Sequence, residues 1–415
     1  MFIPAQNTVT QAPGATSGNS LKYWNREELY QAPAWRDADD GIGEAAEGQR
    51  RILYQGMEME GRRDDVFAYV GYPSSPMPEN GYPGIVMVQG GEGTAYHNYA
   101  RYWNSLGYAT IAMDLYNSFP EMIEPSDCVH RKALPGQKFV EFGGTPEASA
   151  QVIKSIGNAV LGHSLLRSLP KVDVSRIGMV GISWGSVFCS VVAALDDRLR
   201  IIVPVYGHGF NELSDGSQSF YRMASAPWDP KYYLHEAKSP LHWIGGTNDA
   251  AFSMLAMQRS YDEAPTTQNH SYLIELLHGH CGYRFPVVRR IMEGALQNGV
   301  PLPRLGKAVC QDGRMTAEIL ERGRGIAKAV LSYTQDECEC VKRRWHEAPA
   351  EVQDGVVSSV IPEGATIAYL NLFDQQEEDG SWNCCGSSNA AFLKPIALGA
   401  YHPTAPNHYP AVQMD

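Results

Sequence analysis

Arg176-Ile177-Gly178-Met179-Val180-Gly181-Ile182-Ser183-Trp184-Gly185-Ser186 is the stretch whose reading decides the fold. It sets a G-x-S-x-G pentapeptide between a strand-like run, 176–180, and a helix-like run of small and apolar residues, 186–195. A serine exposed on a sharp strand-to-helix turn needs a strand that stops abruptly and a strained backbone at the tip. It also needs glycines on either side, so that strand and helix approach without Cβ clashes. The pentapeptide alone is common; its flanks make it a nucleophile turn.

A serine hydroxyl attacks a carbonyl poorly unless a histidine takes its proton and a carboxylate orients that histidine. After Ser183 come an apolar run, 199–205, and a strand candidate, 240–244, which enters Gly245-Gly246-Thr247-Asn248-Asp249. Asp249, just past a strand on a glycine-rich loop, belongs at the carboxyl edge of a parallel sheet, where such sites lie. It is the expected acid; Asp262 lies in a helix candidate, 254–263, and reads as a surface charge. A strand over 271–277 then delivers His278-Gly279-His280. His280 is the expected base, because a loop needs residues beyond the strand end to carry an imidazole over to the serine. His278 is expected beside it as a substrate contact, and remains the alternative base. The oxyanion donors are expected to be backbone N–H groups: Trp184 after the nucleophile, and Gly91 or Glu92 in the loop that follows the run 83–88. That loop lacks the Lys-Ser/Thr ending of a phosphate-binding P-loop.

The elbow, the Gly-Gly-Thr-Asn-Asp loop, the His-Gly-His segment and the runs 89–95, 102–109 and 111–114 together resemble the serine-dependent dienelactone hydrolase and acetyl xylan esterase-like branch of the α/β-hydrolase superfamily, over roughly residues 50 to 297. The resemblance implies an α/β-hydrolase fold with a mainly parallel sheet flanked by helices, and a Ser183, Asp249, His280 triad. Relatives often carry His-Gly where this chain has Gln89-Gly90, and a neutral residue at the position of Glu92. Dienelactone hydrolases proper use a cysteine nucleophile, and Ser183 argues against that chemistry.

At 415 residues the chain exceeds one ordinary core, so more than one domain is expected. Residues 1–48 read as an N-terminal extension whose first twenty residues form a mobile lead-in. Residues 49–299 read as the catalytic domain, opened by strands near 51–54 and 66–70 and containing a helix over 145–168. Residues 300–395 read as a small β-sandwich of immunoglobulin or fibronectin outline, with Trp345, Tyr369 and Trp382 as core aromatics or, as the alternative, a carbohydrate-stacking face, and 396–415 as an extended tail. The net charge of −12 argues against nucleic acid and anionic membrane as partners, and Lys342-Arg343-Arg344 reads as a solvated strand end. No stretch has the eighteen or more apolar residues of a membrane span. No secretion signal is visible, so the cytoplasm is the default location, with secretion or a periplasmic site if a leader was trimmed. The eight cysteines do not read as a disulfide framework.

Between elbow and acid lies a short segment, 206–238, rich in aromatics, which favours a shallow cap. His208, Tyr206, Trp228 and His278 are the substrate-contact candidates. The expected activity is hydrolysis of short acyl esters, with the resemblance pointing to acetyl esters of carbohydrates, through an acyl-enzyme and without metal or organic cofactor. The expected partner is a small-molecule or carbohydrate ester; the oligomeric state stays open. Two alternatives stand beside it: a serine peptidase or amidase of prolyl-oligopeptidase type, and a carbohydrate-binding homologue that lost turnover, motivated by Gln89 and Glu92.

Overall fold

The protein was analysed as a computed structural model, which describes residues 21–214, 220 and 222–395. The expected lead-in and tail lie outside the described residues. Strands β1 (Trp35–Asp37), β2 (Gln49–Met59), β3 (Arg62–Gly71), β4 (Tyr82–Val88), β5 (Ala109–Asp114), the hairpin β6 (Ser118–Ile123) and β7 (Val129–Ala133), β8 (Val172–Ile182), β9 (Ile201–Val205), β10 (Leu241–Gly246) and β11 (Thr267–Leu273) build the first part. All but the hairpin form one nine-stranded sheet in the order β1-β2-β3-β5-β4-β8-β9-β10-β11. It is antiparallel from β1 to β5 and parallel from β5 to β11.

The chain passes from β4 to β5 in one direction and from β8 to β9 in the other. Right-handed crossovers therefore put α2 (His97–Ser105) and α4 (Trp184–Leu195) on opposite faces of the sheet. They also make the gap between the ends of β4 and β8 a topological switch point, where ligands bind in open α/β sheets. Register aligns that edge: Val88 pairs with Gly181, Ile182 with Val205, Ile244 with Val205 and Gly246 with Leu273. This is the α/β-hydrolase arrangement expected from the sequence.

Helix α3 (Pro146–Ser168) starts as its sequence dictates, with the Thr145 hydroxyl accepting from the Ala148 N–H and proline in the first turn. Most of its circumference is buried, because the N-terminal extension packs over it. Trp24 Nε1 donates to the Ile153 carbonyl (2.9 Å), and Ser164 Oγ to the carbonyl of Leu29 at the end of α1 (Arg26–Leu29) (2.6 Å). Its polar residues are paired accordingly: Lys154 with Asp64, and His163 with Asp196 at 2.7 Å.

Beyond the helix Pro286–Leu296 the chain forms β12 (Arg304–Leu305), β13 (Val309–Gln311), β14 (Arg314–Glu321), β15 (Lys328–Thr334), β16 (His346–Pro349), β17 (Glu351–Gln353), β18 (Val356–Val360), β19 (Ile367–Phe373), β20 (Cys385–Ser387) and β21 (Ala391–Phe392). These make two five-stranded antiparallel sheets. Met315 and Ala317 of one sheet share a core with Leu331, Leu370 and Leu372 of the other. Trp345 and Tyr369 are buried, as expected of core aromatics, and Trp382 is half-buried. The basic run differs from expectation: Arg343 is buried, with Nε donating to the Cys338 carbonyl (3.1 Å), because its turn packs against the large sheet.

That packing is specific. Ser271 Oγ donates to the Cys385 carbonyl (2.5 Å), Tyr272 N–H to Ser387 Oγ (2.8 Å), and Asn371 Nδ2 to the Tyr272 carbonyl (3.1 Å). The C-terminal sheets thus cover the β11 side of the large sheet. The buried pair Arg290–Asp374 (2.8 Å) ties the helix Pro286–Leu296 to the end of β19. Deleting residues 300–415 is therefore expected to give an insoluble or unfolded remainder. Asp374→Ala, which strands a buried guanidinium, should lower the unfolding free energy by about 3–5 kcal/mol in urea titrations. An unchanged midpoint with a soluble truncation would show that the two parts are independent.

Candidate active site

Ser183 sits at the tip between β8 and α4 with φ 56° and ψ −118°, a conformation that costs a non-glycine residue of order 1–3 kcal/mol. The turn is held by the Ser183 N–H donating to the Val205 carbonyl (2.9 Å). Its two glycines are sterically required. A methyl group on Gly181 would lie 2.2 Å from the Gly185 carbonyl oxygen, and one on Gly185 would lie 2.2 Å from that of Val88.

Asp249 follows β10 and is almost fully buried. Its Oδ1 accepts the N–H groups of Ala251 (2.8 Å) and Phe252 (2.9 Å), and its Oδ2 accepts from His278 Nδ1 at 2.7 Å. Burial pushes this carboxyl up, but the His278 imidazole and these hydrogen bonds outweigh it, and the net position is below the usual carboxylate range. His278 stacks on Tyr206 at 4.6 Å, and Tyr206 Oη donates to the Leu277 carbonyl. The acid loop is also gripped from the C-terminal sheets. Asn248 Nδ2 donates to the carbonyls of Cys340 (3.2 Å) and Arg343 (2.7 Å), and Cys340 Sγ to the Asp249 carbonyl (3.3 Å).

Asp249 thus bonds His278, whereas the sequence reading paired it with His280. The reason lies in strand length. β11 ends at Leu273 rather than Leu277, and Glu275 takes a left-handed conformation (φ 52°). Residues 274–277 already supply the reach that seemed to require two more positions. His280 lies elsewhere, against the loop after β4, with a buried Nε2 that meets no partner among the described residues.

That loop is clamped by Gln89, whose Nε2 donates to the Gly93 carbonyl (3.0 Å) and whose Oε1 accepts the Leu115 N–H (3.1 Å). The Glu92 N–H, expected as an oxyanion donor, is already given to Tyr116 Oη (3.0 Å), and the Glu92 side chain is exposed. Gly91 remains: its N–H carries no hydrogen bond among the described residues, and a methyl group on it would lie 2.8 Å from Trp184 Cδ1. The Trp184 N–H opens α4 and carries no hydrogen bond among the described residues.

A model of the dienelactone hydrolase family matches residues 66–280, more than half of the chain, and the match takes in the β4 loop, the elbow, the acid loop and both histidines. The chain belongs to the dienelactone hydrolase family. It is a hydrolase-family chain on an α/β-hydrolase fold. Among solved structures it is similar to the acetyl xylan esterase from Paenibacillus sp. R4, with 14% identity over 68% of this chain and 97% of that one and a TM-score of 0.50. Acetyl xylan esterase 1 from Thermoanaerobacterium sp. JW/SL YS485 has 15% identity over 63% and 88%, with a TM-score of 0.46. A dienelactone hydrolase-type protein from Klebsiella pneumoniae has 19% identity over 56% and 89%, with a TM-score of 0.37. No curated protein matches.

In this dienelactone hydrolase family member the other candidates form an aromatic cluster around Trp184. Phe220 lies 5.2 Å from Trp184 and 4.5 Å from Phe252, which stacks on His278 at 5.9 Å. His208 is fully buried between Phe220 and Phe252. Trp228 supports Trp184 from below: it is fully buried and spends its Nε1–H on the Gly143 carbonyl and Ser149 Oγ, both 3.2 Å. Tyr206 is likewise buried and braces the His278 loop.

Burial pushes His208 down to about 4 and His280 to about 3, with His270 at about 4 and His242 at about 3 in the adjoining strands. All four stay neutral in the fold, whereas unfolded chains protonate them near 6.5. Their contribution is complete above about pH 6.5 and is lost as pH falls towards 4 and 3, at most on the order of 1 kcal/mol per pH unit for each. The urea midpoint should therefore drop between pH 7.5 and 5.5. His208→Phe should flatten that slope; a midpoint independent of pH over this range would contradict the buried neutral state.

Proposed function

We propose that the protein hydrolyses short acyl esters with Ser183 as nucleophile, His278 as general base and then acid, and Asp249 as the group that orients it. The observation that carries the reading is the 2.7 Å bond from His278 Nδ1 to Asp249. It fixes the tautomer so that Nε2 is the basic nitrogen, and it sits on the sheet edge that also presents Ser183. His278 takes the Ser183 proton as Oγ adds to the ester carbonyl. The Trp184 and Gly91 N–H groups receive the oxyanion, and the imidazolium returns its proton to the leaving alkoxide. Water then repeats the sequence on the acyl-enzyme. The imidazolium is stabilised by a carboxylate held ionised, and His280 is paired with none among the described residues.

The aromatic wall of Trp184, Phe220 and Phe252 supports a compact acyl group, and the name of the Paenibacillus relative, an acetyl xylan esterase, suggests acetyl groups on a carbohydrate. Glu92 faces solvent, which removes the electrostatic motive for a non-catalytic reading.

Hydrolysis of p-nitrophenyl acetate, butyrate and octanoate should fall with chain length, and a fluorophosphonate should label Ser183. Ser183→Ala and His278→Ala should each lower kcat by roughly three to six orders of magnitude with the melting curve unchanged. Full turnover in Ser183→Ala would sink the assignment. Cleavage of peptide substrates in preference to all three esters would favour a peptidase instead.

A further inference from the structure

His280 has no task in that scheme, yet its position is specific. Its ring lies 4.7 Å from that of Tyr96. A methyl group on Gly93 would lie 2.5 Å from its Nε2, and one on Gly90 would lie 3.0 Å from both that nitrogen and Ser183 Cβ. Only the room of one missing methyl group thus separates the imidazole from the nucleophile, on the side of the oxyanion loop. The nitrogen is buried and unpaired among the described residues. Such an arrangement is unfavourable unless a ligand completes it.

Protonation of this ring is opposed first by burial, then by His278 and by Arg131, whose guanidinium donates to the Glu92 carbonyl on the same loop. The ring is therefore a poor base, and among the described residues no carboxylate is paired with it. Burial there opposes charge of either sign, whereas the Arg131 guanidinium, bonded to the same loop, favours negative charge arriving beside it.

Resting on the Ser183–His278–Asp249 reading, we propose that His280 is a catalytic hydrogen-bond donor of the oxyanion site, acting beside the N–H groups of Trp184 and Gly91. As Ser183 Oγ bonds to the carbonyl carbon and the π pair moves onto oxygen, the His280 Nε2–H hydrogen-bonds that oxygen. When the carbon–oxygen double bond re-forms and the alkoxide leaves with the proton from His278, His280 still holds its own. The ligand class is an ester carbonyl, and the role needs the tautomer with hydrogen on Nε2.

The test compares His280→Gln, which keeps an N–H donor, with His280→Phe, using kcat, KM and the pH profile for p-nitrophenyl acetate. His280→Phe should lose roughly 100-fold in kcat with KM within about twofold. His280→Gln should recover at least tenfold of that, and the acidic limb should stay in place in both. Equal kcat in the two variants, at any level, would overturn the proposal, as would an acidic limb displaced by either. Should His280→Phe fail to melt cooperatively, His280→Ala against His280→Gln carries the same comparison. Absence of fluorophosphonate labelling in the wild type would instead refute the Ser183 reading, independently of these variants.

Discussion

The structure depends on how closely the ends of β4 and β8 approach each other. Gly181, Gly185 and the Val88 carbonyl leave no volume for a side chain. Strand and helix can meet there only if the intervening serine adopts a left-handed φ. Strain at Ser183 is thus imposed by packing from both sides, and the strained residue is the one presented at the switch point of the sheet. Every other part of the site is placed relative to that tip by a parallel register that ends five strands on one edge.

Around the tip, the loops are fixed by side chains rather than by regular structure. Gln89 ties the β4 loop to the end of β5, and Asp114 receives Thr94, Ser118 and the Tyr116 N–H at the same corner. The C-terminal sheets do the same for the acid loop through Asn248, and for β11 through Ser387 and Asn371. Orientation of Asp249 and His278 therefore draws on residues more than ninety positions downstream. The C-terminal sheets in this protein hold the loop that carries Asp249 and the strand that leads to His278.

The parts legible in the sequence were those written in local pattern: the elbow, the capped helix at Thr145, the strands at 83–88 and 240–244, of which the second runs on to Gly246, and the place of Asp249 just beyond it. What was not legible depended on tertiary facts. That Asp249 bonds His278 rather than His280 depends on the end of β11, and the strand read over 271–277 ran on past the true end at Leu273. Glu92 could not be excluded as a donor without Tyr116, 24 positions away in sequence. Arg343 read as solvated because the surface it packs against belongs to the other sheet.

The most direct test of the Asp249–His278 pair, on which the account rests, is the far-downfield proton NMR signal of a hydrogen-bonded imidazole Nδ1–H. It should be present in the wild type, survive in His280→Gln, vanish in His278→Gln and Asp249→Ala, and shift when a fluorophosphonate occupies Ser183. A signal that survives in His278→Gln and is lost in His280→Gln would contradict the account and return the base to His280.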